Sequence, residues 1–403
     1  MTVSSERYRI LMIAPTSFFS DYGGHIRILE EARGLKRLGH DVTIATYYMG
    51  RDLPGLEIVR TRPTPWRADY EVGSSLHKLA FDFFLQWTTL RVALRRRFDV
   101  VHGHMHEGAL IGYWVSRLQG VPLIFDFQGS LTSEMVDHHF LDPDGPWYYW
   151  TWLLERRIAH LPDITITSSR RGARLLKQAF ACQEGRIKTL SDRVSLDTFR
   201  PDALPPEEAR RRKAALGVPG DRPLVVYLGL LADYQGTPLL LQAARLLKDR
   251  GVKLHFLVMG FPGVPSYERQ TDELGIADYV TFTGKVPYSQ APGHLALGDI
   301  AIAPKISATE GCGKILNYMA TGLPTVAFHN AVNREYLGEL GTYARPLGSP
   351  EGLAEVVQTL AEDPDQRADL GRRLRERAAR HFAWDEGIER LVGIYRAAID
   401  HNH

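Results

Sequence analysis

Cysteine is nearly missing from this 403-residue chain, with Cys182 and Cys312 the only two. Two isolated thiols make neither a disulfide framework nor the paired spacing of a zinc site, so a reducing cytoplasm is the expected compartment. Net charge is nearly missing as well. The 49 Lys and Arg stand against 47 Asp and Glu, leaving +2, which excludes nucleic-acid binding driven by bulk charge. Long apolar runs are also lacking. "ILMIAP" at 10–15 is strand-length, and no uncharged window reaches the roughly 20 residues that span a bilayer. No charged-then-apolar leader stands at the N-terminus, and there is no short-period repeat or low-complexity tract. These absences lead to the expectation of a cytoplasmic protein, soluble or peripheral at the inner face of a membrane.

What is present is a rhythm. Apolar runs of strand length, "RILMIAP", "DVTIAT", "DVVHGH", "PLIFDFQ" and "DITITSS", alternate with helical patterns through residue 169. A charged, proline-rich stretch follows at 199–223, and the rhythm restarts with "LVVYLGL", "LHFLVMG", "VTFTG", "IAIAP" and "PTVAF". Alternation of this kind predicts α/β architecture, with parallel sheets covered by helices on both faces. The length predicts two domains, placed at 1–200 and 201–385. The amphipathic segment 386–403 is expected to cap one of them, or to cross back to the first. Ligands of doubly wound domains sit at the carboxyl ends of the strands, so a cleft between the two is the expected site.

Several stretches could carry chemistry. Gly23 and Gly24 open a helix after the first strand, where backbone amides can approach a phosphate; an ordinary tight turn is the alternative. "VHGHMHEG" sets His102, His104 and His106 at alternate positions before Glu107. Residues alternating along a strand end project to one side, but the stretch lacks the further ligands of a metal site. A polar cleft wall is therefore expected, and no metal. Asp126 lies in the apolar run "LIFDF", where a carboxylate needs a partner or a function; Gln128 follows it. The segment 76–98 is apolar, aromatic and basic at its end. It suits either a buried helix or a peripheral membrane surface, to which "WYYWTW" at 147–152 would add.

The densest stretch is "SATEGCGKILNYMATGLPTVAF", 307–328. Lys305 ends the preceding strand, Glu310 stands in the loop, and Gly311 and Gly313 permit close backbone approach. Lys314 begins a helix. Free amides flanked by two lysines and an acid suit a phosphorylated sugar, with amides and ammonium groups for phosphate and the carboxylate for hydroxyls.

This segment resembles the donor signature of the family four glycosyltransferases, retaining enzymes of the GT-B fold with two Rossmann-like domains. The family pattern E-G-x-G followed by E-x-M-A-x-G-x-P-V-V reads here "EGCGKILNYMATGLPTV". "GGHIRILEEARGLKRLGHDVTIAT", "LSDRVSLDTFRP", "YLGLL" with "QGTPLLLQAARLL", and "YVTFTGKVPYSQAPGHLALGDIAIAP" resemble further family segments in order along the chain. The resemblance implies a nucleoside-diphosphate sugar as donor substrate, no cofactor, no metal and no nucleic-acid partner. A glycan, lipid-linked or small-molecule acceptor is implied on the side of His104 and Glu107. It implies catalytic roles for Glu310, Gln128 and Asp126. The donor would be bound by Gly23, Gly24, Gly229, Gln235, Lys285, Lys305, Gly311, Cys312, Gly313, Lys314, Ile315 and Asn317.

Departures from the pattern are specific. Leu230 and Gln235 stand where many members have an Arg and a Lys for the diphosphate. Asn317 replaces the second glutamate, one residue closer to Glu310, and Gln128 replaces a histidine. Either Lys305 and Lys314 restore the lost positive charge, or the chain binds sugar nucleotides or partners without transfer. A nucleotide-sugar epimerase of the same architecture is a further alternative.

Overall fold

The computed structural model describes residues 6–21, 23–63, 76–137, 140–306 and 312–402. The chain divides into two compact units, one made of Met1–Asp192 with Trp384–His403, the other of Arg193–Ala308 and Cys312–Ala383. The division falls at 192/193, and the last helix belongs to the first unit.

In the first unit the strands are β1 (Arg9–Ala14), β2 (Asp41–Thr46), β3 (Glu57–Arg60), β4 (Val100–His104), β5 (Leu123–Phe127), β6 (Ile164–Thr167) and β7 (Ile187–Thr189). They form one parallel sheet in the order β3-β2-β1-β4-β5-β6-β7. Its helices are α1 (Gly23–Arg37), α2 (Leu76–Arg95), α3 (Met105–Gln119), α4 (Leu131–Asp137), α5 (Pro146–Ala159) and α6 (Arg170–Arg174). Leu11 and Ile13 of β1 pack with Phe81 and Leu85 of α2 and with Ile111 and Val115 of α3. The strands predicted from apolar runs are all present. β3 and β7 escaped that reading because "EIVR" and "IKT" are short and only half-buried, so neither shows a continuous apolar run.

The second unit repeats the design. β8 (Leu224–Leu230), β9 (His255–Phe261), β10 (Val280–Phe282), β11 (Ile300–Ala303), β12 (Thr325–Phe328) and β13 (Thr342–Ala344) run parallel in the order β10-β9-β8-β11-β12-β13. The helices are α7 (Pro206–Ala215), α8 (Thr237–Asp249), α9 (Val264–Glu273), α10 (Ala291–Leu295), α11 (Lys314–Thr321), α12 (Ala331–Leu337), α13 (Pro350–Glu362) and α14 (Pro364–His381). Successive β8 residues alternate between two cores. Leu224 and Val226 join Ile315 and Met319 of α11, while Val225 and Tyr227 join Leu240 of α8 and Leu353 of α13. That period of two, with both faces apolar, is why a parallel strand reads as an unbroken apolar run.

The final helix, α15 (Trp384–Asn402), returns to the first unit. Gly34 of α1 admits it closely, since a Cβ there would fall 2.3 Å from Ile388. The Tyr395 hydroxyl lies 2.7 Å from His102 Nδ1. Among the described residues no helix is long and apolar enough to cross a membrane.

Candidate functional site

In the second unit β8 and β11 are neighbours, but the chain leaves β8 toward β9 and β11 toward β12. The carboxyl ends of these two strands therefore flank a topological switch point, the preferred ligand position in such sheets. Two close approaches shape it. Gly236 has φ 78°, and a Cβ there would lie 2.0 Å from the Pro304 carbonyl, so only glycine fits. The Ile306 amide donates to the Tyr234 carbonyl at 3.1 Å. The loops after β8 and β11 are thus stapled to each other.

Into this corner α11 sends Lys314 from its first position. The ammonium donates to the Tyr227 hydroxyl at 3.1 Å and to Gln235 Oε1 at 3.0 Å, and sits 4.2 Å from the Tyr227 ring centre. Tyr227 in turn donates to the Leu230 carbonyl at 2.6 Å, which leaves its oxygen free to accept. Burial, reinforced by the charge of Lys305, pushes the Lys314 amine down to about 8. A Cβ on Gly229 would lie 2.6 Å from Lys314 Nζ. Gly229→Ala is accordingly expected to displace this ammonium and weaken nucleotide binding several-fold, roughly 1 kcal/mol or more of lost charged hydrogen bonding, as titration calorimetry would register.

The other residues expected on the donor side divide by what they can offer. Lys305 is buried. Lys285 is exposed, its ammonium 5.0 Å from the Phe261 ring centre. Gly313 is exposed with nothing near its missing Cβ, and the start of α11 has no side-chain cap. The free amides expected there are not all free, because Ile315 donates to the Cys312 carbonyl at 2.9 Å and Leu316 to the Gly313 carbonyl at 3.1 Å. The side chains of Cys312 and Ile315 are buried in the core, so a ligand could meet them only through their backbone. Asn317 is half-buried, and its carbonyl accepts from Thr321. Glu310 and Gly311 lie outside the described residues. Tyr227, which anchors Lys314, was not anticipated; the one hint was a tyrosine inside an otherwise aliphatic strand.

The first unit gathers a second set of charges. Parallel pairing sets His104 of β4 beside Asp126 of β5, with His104 Nδ1 3.1 Å from Asp126 Oδ2. Arg27, from α1, donates through Nε to the same oxygen at 3.0 Å, and its Nε lies 3.2 Å from Glu31. Its Nη1 donates to Asp192 at 3.0 Å and to the Leu190 carbonyl at 3.2 Å. Gln128 Nε2 donates to Asp126 Oδ2 at 2.9 Å, and Gln128 Oε1 rests against Gly24, 3.0 Å from where a Cβ would stand. Gly23 begins α1.

Electrostatics in this dry cluster follow from Arg27. Burial raises Asp126, but the Arg27 charge and the His104 contact outweigh it and hold the carboxyl well below its usual range. Glu31 goes the other way, pushed up by burial more than Arg27 pulls it down. Burial, with His104 alongside, holds His102 well below its ordinary value.

Three expectations are corrected here. Asp126 and His104 are fully buried, so they hold Gln128 and one another in place and present no side chain to a ligand. The alternation of the three histidines breaks at Met105, where β4 passes into α3. His102 and His104 share a face with ring centres 4.3 Å apart, whereas His106 turns to Glu155 at 3.4 Å. Carboxylates do gather by the histidines, because Glu31, His102, His104 and Asp126 offer ligand atoms within 4.8 Å of one another. Arg27, ion-paired to both carboxylates, fills the place of a cation among them. Glu107 is half-buried and pairs with Lys78 at 2.5 Å, whose charge outweighs burial and lowers its carboxyl.

Comparison with known proteins gives both halves a relation. Residues 23–191 match the model described as a glycosyl transferase 4-like domain, and residues 208–377 match glycosyl transferases group 1. The chain is 26% identical over 406 residues to D-inositol 3-phosphate glycosyltransferase 1 of Catenulispora acidiphila, covering 94% of this chain and 92% of that one. It is 28% identical over 320 residues to alpha-D-kanosaminyltransferase of Streptomyces kanamyceticus, covering 76% and 79%. Sucrose-phosphate synthase of Thermosynechococcus elongatus superposes with a TM-score of 0.79 at 17% identity, covering 97% and 99%.

Proposed function

As a chain whose halves are a glycosyltransferase 4-like domain and a group 1 domain on the GT-B fold, the protein is a glycosyltransferase, and we propose that it moves a sugar from a nucleoside-diphosphate sugar to a hydroxyl-bearing acceptor with retention of configuration and without a metal ion. The observation that carries this reading is the position of Lys314. Its ammonium touches Gln235 and overlies Gly229, beside the positions where the family pattern has its diphosphate-binding Lys and Arg. One lysine arriving from α11 supplies the charge that Gln235 and Leu230 do not.

In this reading the diphosphate lies over the start of α11, with Lys314 and Lys305 as counter-charges. The base lies against 283–287, Asn317 hydrogen-bonds the ribose, and Glu310 holds the sugar hydroxyls. As the glycosidic bond breaks, negative charge grows on the leaving phosphate, so donors already aimed at it lower the barrier. The departing phosphate oxygen takes the acceptor proton, which requires no protein nucleophile. The name of one relative, D-inositol 3-phosphate glycosyltransferase 1, is consistent with a polar hydroxyl acceptor.

The test is a screen of nucleotide sugars for thermal stabilisation, since a ligand of the folded state raises its melting temperature. Product analysis by NMR follows with the stabilising donor. Transfer with the donor's anomeric configuration kept is expected, and Glu310→Ala should lower turnover on the order of 100-fold while nucleotide affinity changes little. Donor binding with neither transfer nor hydrolysis would overturn the enzymatic reading in favour of a binding protein. Conversion of donor without acceptor would make the chain an epimerase.

A further inference from the structure

The apolar surface of the molecule is concentrated in one place. Twelve of the fifteen exposed large apolar side chains among the described residues lie on α2, α3 and α5. These helices connect β3 to β4, β4 to β5 and β5 to β6, all in one direction across the sheet. Right-handed crossovers put such connections on a common face. Contacts agree: Gln119 Nε2 donates to the carbonyls of Ala93 and Arg96, joining α3 to α2, and His106 faces Glu155, joining α3 to α5.

Each helix turns an apolar stripe outward. On α2 Leu79, Phe83, Trp87 and Leu94 follow at helical spacing, with Phe83 70% and Trp87 66% exposed. On α3 Leu110, Trp114 and Leu118 recur every fourth residue, and α5 adds Trp147, Trp150 and Leu154. Gln86, Leu90, Trp114, Arg117 and Leu118 line an open groove of about 520 Å³ between the first two stripes. Monomeric soluble proteins rarely leave a continuous patch of this kind bare.

Charge identifies the occupant. Arg91, Arg95, Arg117 and Arg157 are exposed on these helices, and none of their described carboxylates is. Asp82 bonds Tyr47, Glu107 pairs with Lys78, and Glu155 is buried beneath Ser130 and Thr132. The nearest exposed acids in sequence, Asp142, Asp144 and Asp163, lie outside α5, before and after it. Tryptophan and leucine ringed by arginine, with no exposed acid on the same helices, match a headgroup boundary carrying negative charge. We propose that this three-helix face of the first unit docks on an anionic lipid bilayer, with Trp87, Trp114 and Trp150 inserted at the interface. The inference adds α3 to the stretches 76–98 and 147–152 and makes one face of the three helices, and it does not draw on the donor site.

Co-sedimentation of the full chain with phosphatidylcholine vesicles, with and without phosphatidylglycerol, tests it. Binding is expected only when phosphatidylglycerol is present, with release by salt and a blue shift of tryptophan emission. The triple change Trp87→Ser, Trp114→Ser and Trp150→Ser should lower the bound fraction about tenfold. Charge reversal at Arg91, Arg95 and Arg117 to Glu should abolish the lipid preference. Both sets alter exposed side chains, so an unchanged melting temperature confirms that the fold is intact. Failure to bind phosphatidylglycerol vesicles overturns the proposal, as does binding that both variants retain. A dimer seen by light scattering and dissolved by the tryptophan changes would assign the face to a second copy instead. Nucleotide binding measured alongside reports on the donor site separately.

Discussion

Lys314→Ala is expected to weaken nucleoside-diphosphate binding roughly 10- to 150-fold, the worth of a charged hydrogen bond of about 1.5–3 kcal/mol. Turnover should fall further, on the order of 100- to 1000-fold, because the charge on the leaving group grows toward the transition state. The pH dependence has a definite sign. Burial and Lys305 hold the Lys314 amine near about 8 before ligand arrives, and a bound diphosphate favours its charged form. Binding above that pH must therefore take up a proton. Affinity should be level below about pH 7 and fall about tenfold per unit above 8. Calorimetry in buffers of different ionisation enthalpy measures the proton directly, and Lys314→Ala should lose both the slope and the uptake. Gln235→Lys in the Lys314→Ala background is the sharpest control, since Gln235 Oε1 lies 3.0 Å from the native ammonium. It should restore much of the affinity, whereas Gln235→Lys alone crowds two ammonium groups together. Unchanged nucleotide binding in Lys314→Ala would end the compensation argument.

Arg27→Met should destabilise the first unit by about 3–5 kcal/mol, the usual cost of stranding buried charge. For a unit of this size that corresponds to a melting-temperature loss of roughly 10 °C. Arg27 is the shared counter-charge of Asp126, Glu31 and Asp192. Glu31→Gln in the same background should recover part of the loss. Glu31 is raised in the folded protein, so its contribution is complete below the ordinary carboxylate range and is lost as pH rises above it. Asp126 is lowered, so its contribution holds at neutral pH and disappears only in strong acid. The deficit of Arg27→Met should consequently be larger at pH 8 than at pH 5, where stranded carboxylates can take protons. Urea melts at the two pH values read this difference.

The architecture was legible because parallel strands covered on both sides must be apolar throughout, as "LVVYLGL" and "IAIAP" are. Edge strands obey no such constraint, which is why "EIVR" passed unnoticed. Glycines and lysines marked the ends of β8 and β11 as a candidate site, but nothing local gave the direction of Lys314. Its approach to Tyr227 and Gln235 depends on two loops brought together by Gly236 against Pro304, a long-range contact with no local signature. Arg27 and Glu31 were less visible still. An Arg–Glu pair four residues apart on a helix looks like a solvent-facing pair, and only the return of the chain at Asp126 and Asp192 makes it a buried hub. The histidine run misled in the other direction, because a strand's period was extended one residue beyond its end.

The return of α15 to the first unit has a consequence for biosynthesis. His102 waits for Tyr395, and Gly34 for Ile388, so the first unit leaves the ribosome with an uncovered groove along α1 and β4. The whole of 193–383 must be translated before that groove can be filled. The unit made first is thus the last to be finished, and a nascent chain stalled before residue 384 exposes an incomplete first unit to chaperones and proteases.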